Sequence, residues 1–259
     1  NGALADDFPE LPELNEKDAV TYKIGVDEFK ASVGQVMIAS SNDLTRPALT
    51  GVYFNTVDDT LAIAATDGYR LAEKKLIDKV KSEVKAIVPS SSLQEVLRAI
   101  GDDVEEVEIS FNEDLVRFRL GEIEVISKLI DASFPDYQKL IPKDSNIEAV
   151  LNREELIRVT KLAALFARSV GGSIICETTE PDTFLVKSIA NEFGENDSKI
   201  ETPVTKSGRV NLNSRFLLDA LNSLEEPEID FKFSDHVAPV VLRNKKNSNY
   251  THIIMPLNS

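Results

Sequence analysis

Val88-Pro89-Ser90-Ser91-Ser92-Leu93-Gln94-Glu95-Val96-Leu97-Arg98-Ala99-Ile100 and Leu212-Asn213-Ser214-Arg215-Phe216-Leu217-Leu218-Asp219-Ala220-Leu221-Asn222-Ser223-Leu224 carry one pattern twice, 124 residues apart. Leu93, Leu97 and Ile100 match Leu217, Leu221 and Leu224, an apolar stripe at i, i+4, i+7, and Glu95 meets Asp219 on the polar face. That spacing predicts an amphipathic helix in each copy. Just downstream, Val107–Phe111 and Ile229–Phe233 both alternate apolar and polar, the period of a half-buried strand. Upstream, the helix opening at Asp27-Glu28-Phe29 resembles the one at Glu154-Glu155-Leu156. A repeat of this length sets the architecture before any single residue does.

Working outward, the first unit reads as a helix over 27–41, strands at 49–55, 60–65, 70–76 and 84–88, a helix over 90–100, and strands at 107–111, 115–120 and 122–129. The second unit copies it, with helices over 152–169 and 213–224 and a last strand at 250–255. Strand runs with interspersed helices imply an α+β fold: two similar domains, each with two helices packed on antiparallel sheets. Residues 20–146 and 147–259 are the expected domains. Asp7-Phe8-Pro9-Glu10-Leu11 resembles Ser133-Phe134-Pro135-Asp136-Tyr137, which closes the first unit. Residues 1–19 therefore read as the tail and linker of a preceding unit removed by design or by proteolysis. The polar stretch Asn191–Lys199 reads as a mobile loop, and Gly171-Gly172 as a turn.

The chain has 259 residues, 42% of them hydrophobic and 28% charged, enough apolar material for two cores. With one cysteine it is no disulfide scaffold, and no apolar run approaches the ~20 residues of a membrane span. A reducing, cytoplasmic setting is expected. Net charge of −15, from 44 acids and 29 bases, argues against a protein that simply coats nucleic acid. No catalytic residues, metal site or cofactor are expected. His236 and His252 stand in no ligand spacing, Cys176 sits in the apolar run Ser173–Cys176, and no glycine-rich phosphate loop occurs. Asp102-Asp103 and Glu105-Glu106 read as solvated turn residues.

Thr45-Arg46-Pro47-Ala48-Leu49-Thr50-Gly51-Val52, Ala65-Thr66-Asp67-Gly68-Tyr69-Arg70-Leu71-Ala72, Leu129-Ile130-Asp131-Ala132-Ser133-Phe134-Pro135-Asp136-Tyr137 and Ile253-Ile254-Met255-Pro256-Leu257 resemble the bacterial sliding clamps, the beta subunits of DNA polymerase III. Their order and spacing match that family's middle and last domains over nearly the whole chain. The resemblance implies a DNA-clamp fold and a non-catalytic processivity factor in the bacterial cytoplasm. In that family two three-domain protomers join head to tail around duplex DNA, helices inside. It also implies a hydrophobic groove that takes linear peptides of the polymerase alpha subunit, the clamp loader and repair proteins. Carried over by position, the groove comprises Leu49, Thr66, Gly68, Tyr69, Arg70, Leu71, Pro135, Lys139, Leu140, Val237, Pro239, Ile253, Met255, Pro256 and Leu257. Arg70 is expected to offer donors to the peptide.

The DNA-facing residues implied are Arg46, Arg153, Arg158, Lys161 and Arg168. The four predicted helices together carry +1, so the acidity lies elsewhere on the body, as suits a ring that admits DNA without gripping it. Tyr69 in place of a common histidine, Gln138-Lys139-Leu140 in place of a more basic run, and the tail Leu257-Asn258-Ser259 depart from the family and bear on peptide preference. A chain lacking one of three domains is expected to be monomeric. A peptide-binding adaptor that never encircles DNA is the alternative reading.

Overall fold

The structure is a computed structural model and describes residues 14, 19–168, 171–190 and 194–257. The first half contains β1 (Val20–Gly25), α1 (Val26–Met37), β2 (Gly51–Val57), β3 (Thr60–Thr66), β4 (Arg70–Ile77), β5 (Lys85–Pro89), α2 (Ser90–Ala99), β6 (Glu106–Phe111), β7 (Leu115–Leu120) and β8 (Ile123–Lys128). The second repeats that order with β9 (Ile147–Asn152), α3 (Arg153–Ala167), β10 (Ser173–Thr179), β11 (Thr183–Ala190), β12 (Gly194–Glu201), β13 (Gly208–Asn213), α4 (Ser214–Ser223), β14 (Glu228–Phe233), β15 (Val240–Asn244) and β16 (Tyr250–Ile254). The fold is α+β, with four helices and antiparallel sheets.

Local chemistry accounts for most boundaries. Asn152 and Asn213 cap α3 and α4, their side chains accepting from the amides of Glu155 and of Arg215 and Phe216. Asp27, Glu28, Glu154 and Glu155 lie in first turns, where the helix dipole favours acids. Asp58 and Asp59, both at positive φ, form the two-residue hairpin between β2 and β3. Gly171 and Gly172, at φ +69° and +78°, make the expected turn into β10.

Several expectations shift. The first helix stops at Met37 rather than 41, because the Ser40 hydroxyl turns back to the Met37 carbonyl and the Ser41 amide bonds Leu49 O. Pro47–Thr50 is a 3-10 turn, so strand β2 begins at Gly51. Strands β1 and β9, which precede the first helix of each half, were absent from the expected strand set although both alternate in burial. Asn191–Lys199 is not a loop throughout: Gly194–Glu201 pairs with β11 along its length. Its polar composition misleads because the inward positions Asn196 and Ser198, half-buried beside the buried Ile200, are polar rather than apolar. The segment Asp7–Leu11 and the terminal Asn258-Ser259 lie outside the described residues.

In the first half, the sheet orders are β5-β2-β3-β4 and β1-β6-β7-β8; the second repeats them as β13-β10-β11-β12 and β9-β14-β15-β16. Strand β4 pairs antiparallel with β16, fusing one sheet of each half into the eight-stranded sheet β5-β2-β3-β4-β16-β15-β14-β9. By the repeat, β12 is the counterpart of β4 and β8 the counterpart of β16. Both lie at the edges of their four-stranded sheets.

The helices form a row, α2 beside α1 and α3 beside α4, with α1 and α4 joined by Gln35 Nε2, which donates to Ser223 O and Glu225 Oε1 at 2.9 Å each. One continuous apolar core runs beneath them through both halves. Cys176 is part of it, and burial pushes its thiol up to about 12, so it is inert packing.

Candidate functional site

The β4–β16 pair has two faces, and strand alternation assigns each residue to one of them. Ala72 and Ile254 point into the helix-side core. Their neighbours Leu71 and Ile253 point the other way, where they meet Ala64, Tyr137 and Val241 in a second, smaller cluster with Tyr53, Phe134 and Ile141 packed at its margin. Tyr137, on the connection between the halves, anchors this outer patch: it is 1% exposed, its hydroxyl donates to Glu73 Oε1 at 2.8 Å, and it receives Asn55 Nδ2 at 3.3 Å. Burial, and then the Glu73 carboxylate, push that phenol well above its ordinary range. Phe134 stacks on Tyr53 with ring centroids 4.7 Å apart.

Around this floor the sequence-predicted residues divide sharply. Leu49, Thr66, Leu71 and Ile253 are buried, and Leu71 and Ile253 belong to the floor itself. Tyr69 is 61% exposed, Val237 59%, Leu140 51% and Met255 38%, large apolar side chains left in water. Backbone pairing sets Tyr69 and Met255 side by side. The Met255 amide donates to Tyr69 O at 2.8 Å, extending the β4–β16 ladder by one step, and Val240, at the end of the 234–239 loop, pairs with Ile254. Asp235 holds that loop by accepting from the amides of Val237 and Ala238, which also keeps its carboxyl below the usual range. Pro135 and Lys139 flank Tyr137 and are exposed, Lys139 pairing with Asp136; Pro239 and Pro256 are half-buried. Leu257 is drawn toward the second half's other sheet by its amide bond to Asn211 O.

The turn between β3 and β4 lies at the Tyr69 end of this patch. Thr66 Oγ1 donates to Arg70 O at 2.6 Å and accepts from the Gly68 amide at 3.1 Å; Asp67 Oδ1 accepts from the amides of Tyr69 and Arg70. Gly68 sits at φ +93°, and a Cβ there would lie 3.2 Å from Arg46 Nη1. Arg46, expected to face DNA, therefore adjoins this turn. Arg70, expected to reach the peptide, is turned away from it. It is 8% exposed, and the register puts it on the parity of Ala72, so its guanidinium goes to the helix side. Asp67, Phe216 and Asp219, its partners there, were missed as site residues; Asp219 looked like one more polar-face residue of a helix.

On the helix face, Arg158, Lys161 and Arg168 are exposed; Lys161 and Arg168 make no ion pair with any described residue, and Arg158 reaches Glu155 only at 3.6 Å. Arg153 is half-buried, its Nη1 3.4 Å from Leu221 O, and serves the α3–α4 contact more than the surface. Among the described residues no group of three or more His, Cys, Asp or Glu could hold a metal, and no helix is long and apolar enough to cross a membrane.

Two family models match, the DNA polymerase III beta subunit central domain over residues 23–136 and its C-terminal domain over 138–258. The chain belongs to the bacterial sliding-clamp family. The beta sliding clamp of Staphylococcus epidermidis is 30% identical over 260 residues, covering 99% of this chain and 68% of the relative. The sliding clamp of Bacillus subtilis superimposes with a TM-score of 0.93 at 28% identity, covering 100% of this chain and 69% of that one. The Thermotoga maritima beta subunit, at 24% identity and a TM-score of 0.91, shares the fold. The clamp family thus accounts for the four helices, the antiparallel sheets and the repeat.

Proposed function

We propose that this chain is the middle and last domains, 20–146 and 147–259, of a non-catalytic processivity clamp. As part of a head-to-tail assembly it encircles duplex DNA in the bacterial cytoplasm, and it tethers the polymerase alpha subunit, the clamp loader and repair proteins by linear peptides. The observation that carries this reading is the β4–β16 junction. Two copies of one unit join edge to edge there, with the helices kept in a single row, while the equivalent edges β8 and β12 pair with no further strand among the described residues and can take further units of the same kind. Repetition of one head-to-tail junction closes a ring when its rotation divides the full turn. Helices with few free cations then line the hole, contacting phosphate loosely and without base readout.

The outer side of the same junction supports peptide capture. Leu71 and Ile253 give an apolar floor, and Tyr69, Leu140, Val237 and Met255 stand exposed around it. Methionine and aromatic side chains adapt to different ligands, and Gly68 lets a peptide backbone come close. A peptide of the polar–x–apolar–x–aromatic kind should bind with micromolar affinity, ~ −7 to −8 kcal/mol. Titration of a fluorescein-labelled Gln-Ala-Leu-Ala-Phe peptide tests this. Met255→Ala should weaken binding by about 1–3 kcal/mol, truncation after Ile254 should abolish it, and Arg158→Glu should leave it unchanged. Loss of binding in Arg158→Glu with Met255→Ala like the unaltered chain would put the site on the wrong face.

A further inference from the structure

Arg70 begins on the groove side of the molecule and ends on the other. Its backbone closes the Asp67–Arg70 turn, and its guanidinium passes to the helix side. There Nη1 donates to Asp219 Oδ2 at 2.6 Å, and the ring of Phe216 lies 4.5 Å below the guanidinium carbon. Both partners belong to α4 of the second half. Nε donates back to Asp67 Oδ2 at 3.0 Å, and Asp67's other oxygen holds the amides of Tyr69 and Arg70 at 2.9 and 3.0 Å. The turn that presents Gly68 and Tyr69 is therefore gathered on Asp67, Asp67 is held by Arg70, and Arg70 is held from α4. The Arg70 side chain is 9% exposed, and a cavity of about 590 Å³ opening among α1, α2 and α4 includes Arg70 and Asp219 in its wall. Charge-assisted bonds to a guanidinium this buried are stronger and more directional than surface pairs.

We infer that Asp219 and Phe216, neither of them in the groove, are positioning residues for it: through Arg70 and Asp67 they set the shape of the turn that forms one rim. Peptide affinity on the outer face is thereby coupled to a contact on the helix face, and anything that displaces Asp219 from Arg70 loosens the rim. The inference rests on the groove reading above for its peptide arm and on the hydrogen-bond chain alone for its structural arm. Asp219→Asn keeps an acceptor of the same size but removes the charge; Asp219→Glu keeps the charge on a longer arm.

The test uses the full chain. Amide hydrogen exchange at Tyr69 and Arg70 should quicken in Asp219→Asn and recover in part in Asp219→Glu, while the amides of Leu115–Leu120, in the remote strand β7, stay as protected as before. The Kd for the labelled Gln-Ala-Leu-Ala-Phe peptide should rise about tenfold in Asp219→Asn, through a faster off-rate. Unchanged exchange at Tyr69 and Arg70 overturns the inference, and so does faster exchange spread equally over β7, since that is general loosening. Should the unaltered chain not bind the peptide, the groove reading falls, and the exchange result alone decides whether α4 braces the turn.

Discussion

The two faces of the β4–β16 pair share one backbone register and little else. Outward lie Leu71 and Ile253, packed with Ala64, Tyr137 and Val241, with Tyr69 and Met255 exposed at the end of the ladder. Inward lie Arg70, bound to Asp67 and Asp219, and His252, which shares a buried polar link with Tyr250 and α1. The outer face is apolar at Leu71 and Ile253 and fixed at one point, where the Tyr137 hydroxyl meets Glu73 and Asn55. A polar inner face fixes the two halves relative to each other, because each bond is directional and costly to leave unmade. One junction thus combines an apolar outer surface with a rigid hinge-less support.

The sharpest way to break the contrast is at the floor. Ile253 is 2% exposed, on the outer parity, and pairs with Leu71. Ile253→Ala should destabilise the chain by about 2–4 kcal/mol in chemical denaturation, because the small outer cluster has few atoms with which to refill the space. A loss under 1 kcal/mol would mean that the outer cluster is incidental to the junction.

The inner face is tested by pH. The Tyr250 hydroxyl lies 3.1 Å from Gln35 O and 2.8 Å from His252 Nδ1, while His252 Nε2 is buried with no hydrogen-bond partner among the described residues. Burial, aided by the nearby Arg70 charge, pushes the His252 pKa down to about 3. Below pH 6.5 the unfolded chain takes up a proton that the folded chain refuses, so stability is present above 6.5 and falls as the medium is acidified toward 3. The slope from this group is at most about 1.4 kcal/mol per pH unit, and it is best read between pH 6.5 and 5, above the carboxylate range. Denaturant midpoints of the unaltered chain and of His252→Gln should diverge in that window, the variant being flatter. Parallel lines would show that His252 titrates normally and that the inner face is wetter than its burial indicates.

The smallest effect is expected at the rim. Tyr69 is exposed and contributes its backbone, not its ring, to the ladder, so Tyr69→Ala should shift stability by no more than about 0.5 kcal/mol while weakening the labelled peptide. A stability loss as large as that of Ile253→Ala would show that the ring packs into the outer cluster.

From the sequence alone, the repeat, the α+β class and the helix positions were legible, because periods of 3.6 and 2 are written in apolar residues that must reach a core wherever the unit is placed. The resemblance singled out Thr66–Leu71 and Ile253–Leu257, and the structure lays the two segments side by side where β4 meets β16. The strand Gly194–Glu201 was not legible, since its inward positions Asn196 and Ser198 are polar and only Ile200 among 196–201 is apolar. Nor could a linear reading say that β4 meets β16, since strand pairing between residues 180 apart depends on which edges the two folded halves leave open. That pairing decides the rest. Register sets parity, and parity sends Arg70 to α4 instead of to a peptide, makes Asp219 its partner, and buries His252 as a neutral base. A one-residue difference in register would reverse every one of these assignments without changing a letter of the sequence.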